Sequence, residues 1–202
     1  MKRFLIFIFL IFSTFFHAQK KKKMDVVSNV EGRFLVMKAL GNNTFSKDLG
    51  VFYGFGFGGQ LMTPINFGLG LDYNVLFSDV KYGHQNLFGE LGSQRLTEIS
   101  LKLIHRDELS EEFFLEESAG FTLYSLNSLL IPGKENFKQK NGGFNAGLNL
   151  VYTLDREGYQ QFVLGAKANG YFSNVYNENP EIKKYFSRAL FVGFAFGYRY
   201  NF

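Results

Sequence analysis

Three histidines and no cysteine limit the side-chain chemistry open to this 202-residue chain. Without cysteine there is no disulfide framework, no lipoprotein anchor and no thiolate metal site. His17, His84 and His105 are too few and too scattered to assemble a metal cluster. The glycines of Gly54-Phe-Gly-Phe-Gly-Gly59 alternate with aromatics and open no helix, so they do not make a phosphate loop. Neither a Gly-x-Ser-x-Gly elbow nor a His-Glu-x-x-His pair occurs. The reading is of a chain that is not an enzyme and needs no cofactor and no metal. A net charge of +4 is mild and sits partly in short runs, a poor footprint for nucleic acid.

What remains is a set of isolated charges and glycines spaced two residues apart, and that spacing belongs to strands. In Ile65 to Phe77 the odd positions carry Ile65, Phe67, Leu69, Leu71, Tyr73, Val75 and Phe77, while the even ones carry Asn66, Gly68, Gly70, Asp72 and Asn74. The same period runs through Val51 to Leu61, Phe144 to Leu154, Phe162 to Asn169 and Leu190 to Phe202, and more weakly through Ser28 to Lys38, Gln94 to His105 and Phe113 to Tyr124. The total is eight. Glu117 alone falls on an apolar face, at a bulge or an interfacial position. Composition agrees, with 26 Phe, 11 Tyr and 22 Gly against only 3 Pro, a balance that favours β-structure over helix.

Connections separate these runs in an alternating rhythm. Thr63-Pro64, Arg106 to Glu112 and Asp155 to Gln161 are short; Ala39 to Gly50, Ser78 to Ser93, Ser125 to Asn141 and Ser173 to Ser187 are longer. This spells an all-β, eight-stranded, antiparallel up-and-down transmembrane barrel with short periplasmic turns and longer extracellular loops. An even strand number puts both ends of the barrel chain in the periplasm. Ahead of it, Lys2 and Arg3 followed by the apolar run Phe4 to Phe16 read as a secretory signal over 1–19, cleaved near Ala18-Gln19. The segment 20–27 is basic, with Lys20 to Lys23, and reads as a solvated linker; the barrel occupies 28–202.

The two strand faces differ in kind. One is rich in Phe, Leu and Tyr, and would overfill an eight-stranded interior; the other is mostly Gly, Asn, Ser and Ala with single charges. The aromatic face therefore belongs against lipid, not inside a soluble lipocalin-like barrel. Glu31, Arg33, Asp72, Glu98, Lys102, Lys167 and Arg199 then point into the lumen, three acids against four bases, and must pair there. A gated polar channel and a structural salt-bridge plug both fit, and the narrow bore favours the plug. Tyr198, Tyr200 and Phe202 fall in a periplasmic aromatic girdle.

The segments Glu98-Ile-Ser-Leu-Lys-Leu103, Ser118-Ala-Gly-Phe-Thr-Leu123, Gly143-Phe-Asn-Ala-Gly147 and Gly193-Phe-Ala-Phe-Gly-Tyr-Arg-Tyr-Asn-Phe202 resemble the outer-membrane β-barrel domain family of Bacteroidota. That family includes the PorT-like proteins and is similar in architecture to OmpA and OmpX barrels. The resemblance implies a Gram-negative outer membrane, surrounding lipids as partners, and recognition of Tyr198, Tyr200 and Phe202 by the barrel-assembly machinery. Ser100 stands where the family often has proline. The family's architecture transfers; an accessory part in protein secretion is an alternative. Another is a lipid-modifying barrel enzyme, but the deacylases among such barrels carry His-x-Ser, whereas His84 precedes Gln85-Asn86 and His105 precedes Arg106-Asp107. Function then rests with the loops, where Tyr82, His84, Phe88, Lys134, Phe137 and Lys138 are the candidate contacts for an extracellular ligand or envelope protein, in a structural or adhesive role.

Overall fold

A computed structural model describes residues 26–83, 94–128, 137–173 and 178–202. The expected signal and nearly all of the basic segment lie outside these residues, as do His84, Phe88 and Lys134. Eight antiparallel strands form a closed barrel in sequence order: β1 (Val27–Leu40), β2 (Phe52–Met62), β3 (Phe67–Ser78), β4 (Gln94–Glu108), β5 (Phe113–Ser128), β6 (Phe137–Thr153), β7 (Gln160–Phe172) and β8 (Arg188–Asn201). β8 pairs back onto β1, so no strand edge is left open.

Register fixes the bore. Followed partner by partner around the barrel, Val30 leads through Gly59, Leu71, Leu101, Phe121, Phe144, Gly170 and Leu190 back to β1 at Leu40, a stagger of ten residues. For eight strands that stagger demands a tilt of roughly 40° and a backbone cylinder about 16 Å across. Side chains from opposite walls therefore meet. Inward glycines make the closest approaches possible: a Cβ at Gly54 would strike the Val75 carbonyl oxygen, and one at Gly120 the Leu101 carbonyl oxygen.

The two ends are built differently. At one end the connections are tight. Thr63 N–H and its hydroxyl both donate to the Phe67 carbonyl at 2.8 and 2.6 Å, and Asn66 takes φ 66°, a left-handed conformation that asparagine tolerates. Between β6 and β7, Asp155 accepts from Tyr159 N–H and Gln160 N–H, and Gly158 takes φ 80°. At the loop end, β1 and β2 are joined through a single helical turn, α1 (Thr44–Lys47). Asn43 caps it, accepting from Ser46 N–H at 2.9 Å and donating to the Leu40 carbonyl at 2.7 Å. A second helix, α2 (Pro180–Ser187), precedes β8.

Strand ends depart most from the sequence reading on five strands. β4 continues through Arg106, Asp107 and Glu108, which the alternation had assigned to a turn. β5 runs to Ser128 and β6 begins at Phe137, so Phe137 and Lys138 belong to strand backbone rather than to a loop. β3 starts at Phe67, leaving Ile65 exposed in the turn. β7 extends to Phe172. In each strand extension, ladder hydrogen bonds carry the chain past the point where its alternation fades.

The aromatic face is the outer one. Phe55, Phe57, Leu69, Leu71, Leu103, Phe121, Leu123, Phe194 and Phe196 are all exposed on the barrel wall. This arrangement is the reverse of a soluble lipocalin-like barrel, whose apolar side chains point inward. The lumen is not polar throughout, which corrects the sequence reading. Toward the loop end Leu35, Met37, Phe52, Leu76, Leu96, Leu126, Tyr171 and Phe191 are buried inside the barrel as one cluster. Phe45 and Leu49, brought in by the α1 connection, close it from above. Phe191 sits at its centre, edge-on to Phe45, Phe52 and Tyr171 at centroid separations of 5.2, 5.4 and 4.9 Å.

Candidate functional site

Below the aromatic stopper the lumen holds the charges, and they form one continuous alternating path. Lys102 Nζ lies 2.9 Å from Asp72; Asp72 takes a two-pronged contact from Arg33 at 2.7 and 3.1 Å; Arg33 Nε lies 3.3 Å from Glu31. Glu31 accepts from Arg199 at 2.9 Å, Arg199 donates across the lumen to both oxygens of Glu116 at 2.7 and 2.8 Å, and Glu116 accepts from Arg106 at 2.6 and 2.9 Å. The path leaves β4 at Lys102, visits β3, β1, β8 and β5, and returns to β4 at Arg106. It is a ring of ion pairs across the bore. Such charges are costly to bury and tolerable only when every one is paired.

Glu98 and Lys167 stand apart from that ring, nearer the stopper. The Glu98 carboxylate accepts from Lys167 Nζ at 2.9 Å, Asn74 Nδ2 at 2.9 Å, Asn169 Nδ2 at 3.0 Å and the Tyr171 hydroxyl. A cavity of about 20 Å³ lies between the two groups, lined in part by Arg33, Asp72, Lys102, Asn145, Asn149 and Lys167. Its volume suits a single water molecule. The seven lumen charges named from the sequence thus separate into a five-member part of the ring and a two-member pair.

Two ring members escaped the sequence reading. Arg106 lies beyond the alternation of its strand and Glu116 stands outside the seven charges read from the sequence, although each keeps the parity of lumen residues on its own strand: Lys102, Ile104, Arg106 on β4 and Glu116, Ser118, Gly120 on β5. The parity was legible; the partner was not, because Arg199 reaches Glu116 across the barrel.

Glu117 points outward and has a partner. It stands directly across from His105 in the β4–β5 ladder, with His105 Nδ1 3.2 Å from Glu117 Oε2. His105 Nε2 faces Asp107 at 3.8 Å. These three residues offer metal-ligand atoms within 4.8 Å of one another. Each imidazole nitrogen, however, faces its own carboxylate, whereas one ion needs a single nitrogen directed where both carboxylates converge. The arrangement is a cross-strand polar clamp at the turn end, where the apolar band stops.

The C-terminal aromatics line the outer wall at that same end. Tyr198 donates its hydroxyl to Gln160 at 2.9 Å, Tyr200 stacks on Tyr159 with centroids 6.2 Å apart, and Phe202 packs edge-on to Tyr200 at 5.4 Å. At the loop end Tyr82 is 95% exposed.

Exposed charge is segregated between the ends. Lys38, Lys47, Lys81, Arg95, Lys140 and Arg188 lie at the loop end, with Asp79 and Glu178 as the exposed acids whose side chains are described there. Among the described residues, the turn end carries exposed Glu108, Glu111, Glu112 and Glu157 and half-buried Asp155, with Arg156 the exposed base beside them.

No protein-family model and no curated protein matches the sequence. Solved structures do match the fold. Neisserial surface protein A aligns with a TM-score of 0.61 at 14% identity over 87% of this chain and 97% of its own. The outer membrane protein OprG from Pseudomonas aeruginosa gives 0.59 at 13%, over 91% and 99%. Ail, the attachment invasion locus protein of Yersinia pestis, in complex with the heparin analogue sucrose octasulfate, gives 0.54 at 10%, over 89% and 100%. The fold is that of the eight-stranded outer-membrane β-barrels.

Proposed function

We propose that this chain is an outer-membrane barrel protein that works by binding at its loop end, without catalysis and without a conducting lumen. One observation carries the reading: the bore is crossed by an ion-pair ring and stoppered by Phe45, Phe52, Tyr171 and Phe191, while the apolar side chains lie outside. A filled barrel with an apolar wall is a membrane-anchored scaffold, and a scaffold presents its loops. Membrane lipids surround the wall, and β8, with Tyr198, Tyr200 and Phe202, is the strand offered to the barrel-assembly machinery. Tyr82, His84, Phe88, Lys134, Phe137 and Lys138 are the proposed contacts for an extracellular ligand or envelope protein. Kinship with the PorT-like barrels of Bacteroidota is part of this proposal, resting on the C-terminal segment Gly193–Phe202 and the three inner segments that resemble it.

The test is fractionation of cells producing the full chain, followed by electrophoresis of the outer membranes with and without boiling. A folded barrel migrates faster before boiling. A chain found in soluble periplasm, or one whose migration does not depend on heating, overturns the reading. Purified and inserted into planar bilayers, the protein should give no steady conductance.

A further inference from the structure

The outer wall changes character abruptly on β4, β5 and β6. The register sets Ile99, Leu123 and Gly142 in one cross-strand row. The next row toward the loop end is Thr97, Ser125 and Lys140, and the one after it holds Arg95 and Asn127, with Lys138 as the register partner of Asn127. Arg95 and Lys140 are exposed and Thr97 and Asn127 are half-buried, while Ser125 Oγ is buried. These rows face outward with Leu101 and Phe121 beneath them on the same strand faces.

Among the described side chains the block offers two cations, Arg95 and Lys140, and two neutral hydrogen-bonding groups, Thr97 and Asn127, and no carboxylate. Lysine and arginine at the edge of an apolar wall lay their stems along it and extend their heads to the headgroup layer. Arginine's planar fork matches phosphate oxygens in pairs, and a neighbouring lysine adds a point charge. Among the described residues, Glu108, Glu111 and Glu112 at the turn end would repel the same ligand, so the charge they and the loop-end cations describe favours the loop-end leaflet.

We propose that Arg95 and Lys140, with Thr97 and Asn127, form a binding site for the phosphate of a lipid in the loop-end leaflet. Acyl chains of that lipid lie over Leu101 and Phe121. A lipid is favoured over a soluble polyanion because these side chains stand on the outer wall, continuous with the apolar band. This inference rests on the outer-membrane reading above.

The full chain is refolded into nanodiscs of phosphatidylcholine containing a minor fraction of lipid A, and co-retained lipid is measured by native mass spectrometry after release into detergent. The wild-type barrel retains lipid A in preference to its dephosphorylated form. The double variant Arg95→Gln/Lys140→Gln retains it on the order of tenfold less, as expected for two headgroup-level cations. Arg95→Lys/Lys140→Arg keeps most of the retention, and Lys47→Gln, in the α1 turn, leaves it unchanged. Equal retention of dephosphorylated lipid A, or undiminished retention by the double Gln variant, overturns the site. So does Arg95-dependent capture of heparin by discs of phosphatidylcholine alone, without preferential retention of lipid A in the mixed discs. Heat-dependent migration of each sample separates the two levels: a chain that does not insert refutes the membrane reading, whereas an inserted barrel without phosphate preference refutes only this site.

Discussion

Arg199 is wholly buried, with no solvent exposure, and is shared between Glu31 and Glu116. Replacing it with glutamine leaves two lumen carboxylates short of a cation, and breaking such a buried network costs about 3–5 kcal/mol. Urea unfolding of vesicle-inserted protein should register that loss in Arg199→Gln. Glu117→Gln, on the outer wall where the His105 pair is partly solvated, should change stability by no more than about 1 kcal/mol. Equal losses in the two variants would contradict the division between a structural ring inside and a rim clamp outside. Glu116 of the ring and Glu117 of the clamp are neighbours in sequence, and only their strand faces distinguish them.

The connection carrying α1 is the element that makes the lumen a closed volume. Asn43 orders the turn by bonding on both sides of itself, and that order aims Phe45 and Leu49 into the barrel. Asn43→Ala should cost about 1 kcal/mol through the lost cap. Phe45→Ala should cost about 3–5 kcal/mol by opening a cavity against Phe191. Protease nicking near Gly41 in the inserted protein reports loosening of this turn and should rise in both variants. If neither variant changes nicking or stability, the connection is not part of the stopper. Among the strands, an alanine at inward Gly54 meets the β3 backbone, while one at outward Gly32 meets only the Phe57 ring at ordinary contact distance. Gly54→Ala should therefore slow or abolish refolding, measured by the heat-dependent gel shift, and Gly32→Ala should not.

At the scale of the molecule, the described residues form three bands along the barrel: an acidic turn end, an apolar wall and a basic loop end. On the proposed reading, charge of this polarity favours anions at the loop end, and the filled bore is expected to deny passage between the ends. Removing part of the stopper does not by itself open a pore, because the ion-pair ring remains below it. In planar bilayers a Phe45→Ala/Phe191→Ala variant should stay non-conducting. Steady currents from it would show that the ring alone does not seal the lumen.

Alternation along the chain is enough to set which side of each strand meets lipid, because that property depends only on a local period of two, as in Phe67, Leu69, Leu71 against Gly68, Gly70, Asp72. The sequence also determined strand number and the alternation of turn lengths. What pairs with what was decided by the closed barrel. The ten-residue stagger carries Arg199 on β8 to Glu116 on β5 and brings Tyr171 on β7 to Glu98 on β4. The apolar stopper was equally hidden, since Leu35-Val36-Met37 and Phe52-Tyr53 are apolar on both faces and so lose the alternation that parity reading needs. Parity is a property of neighbours in the chain; depth in the bore and partners across it exist only once eight strands have closed on one another.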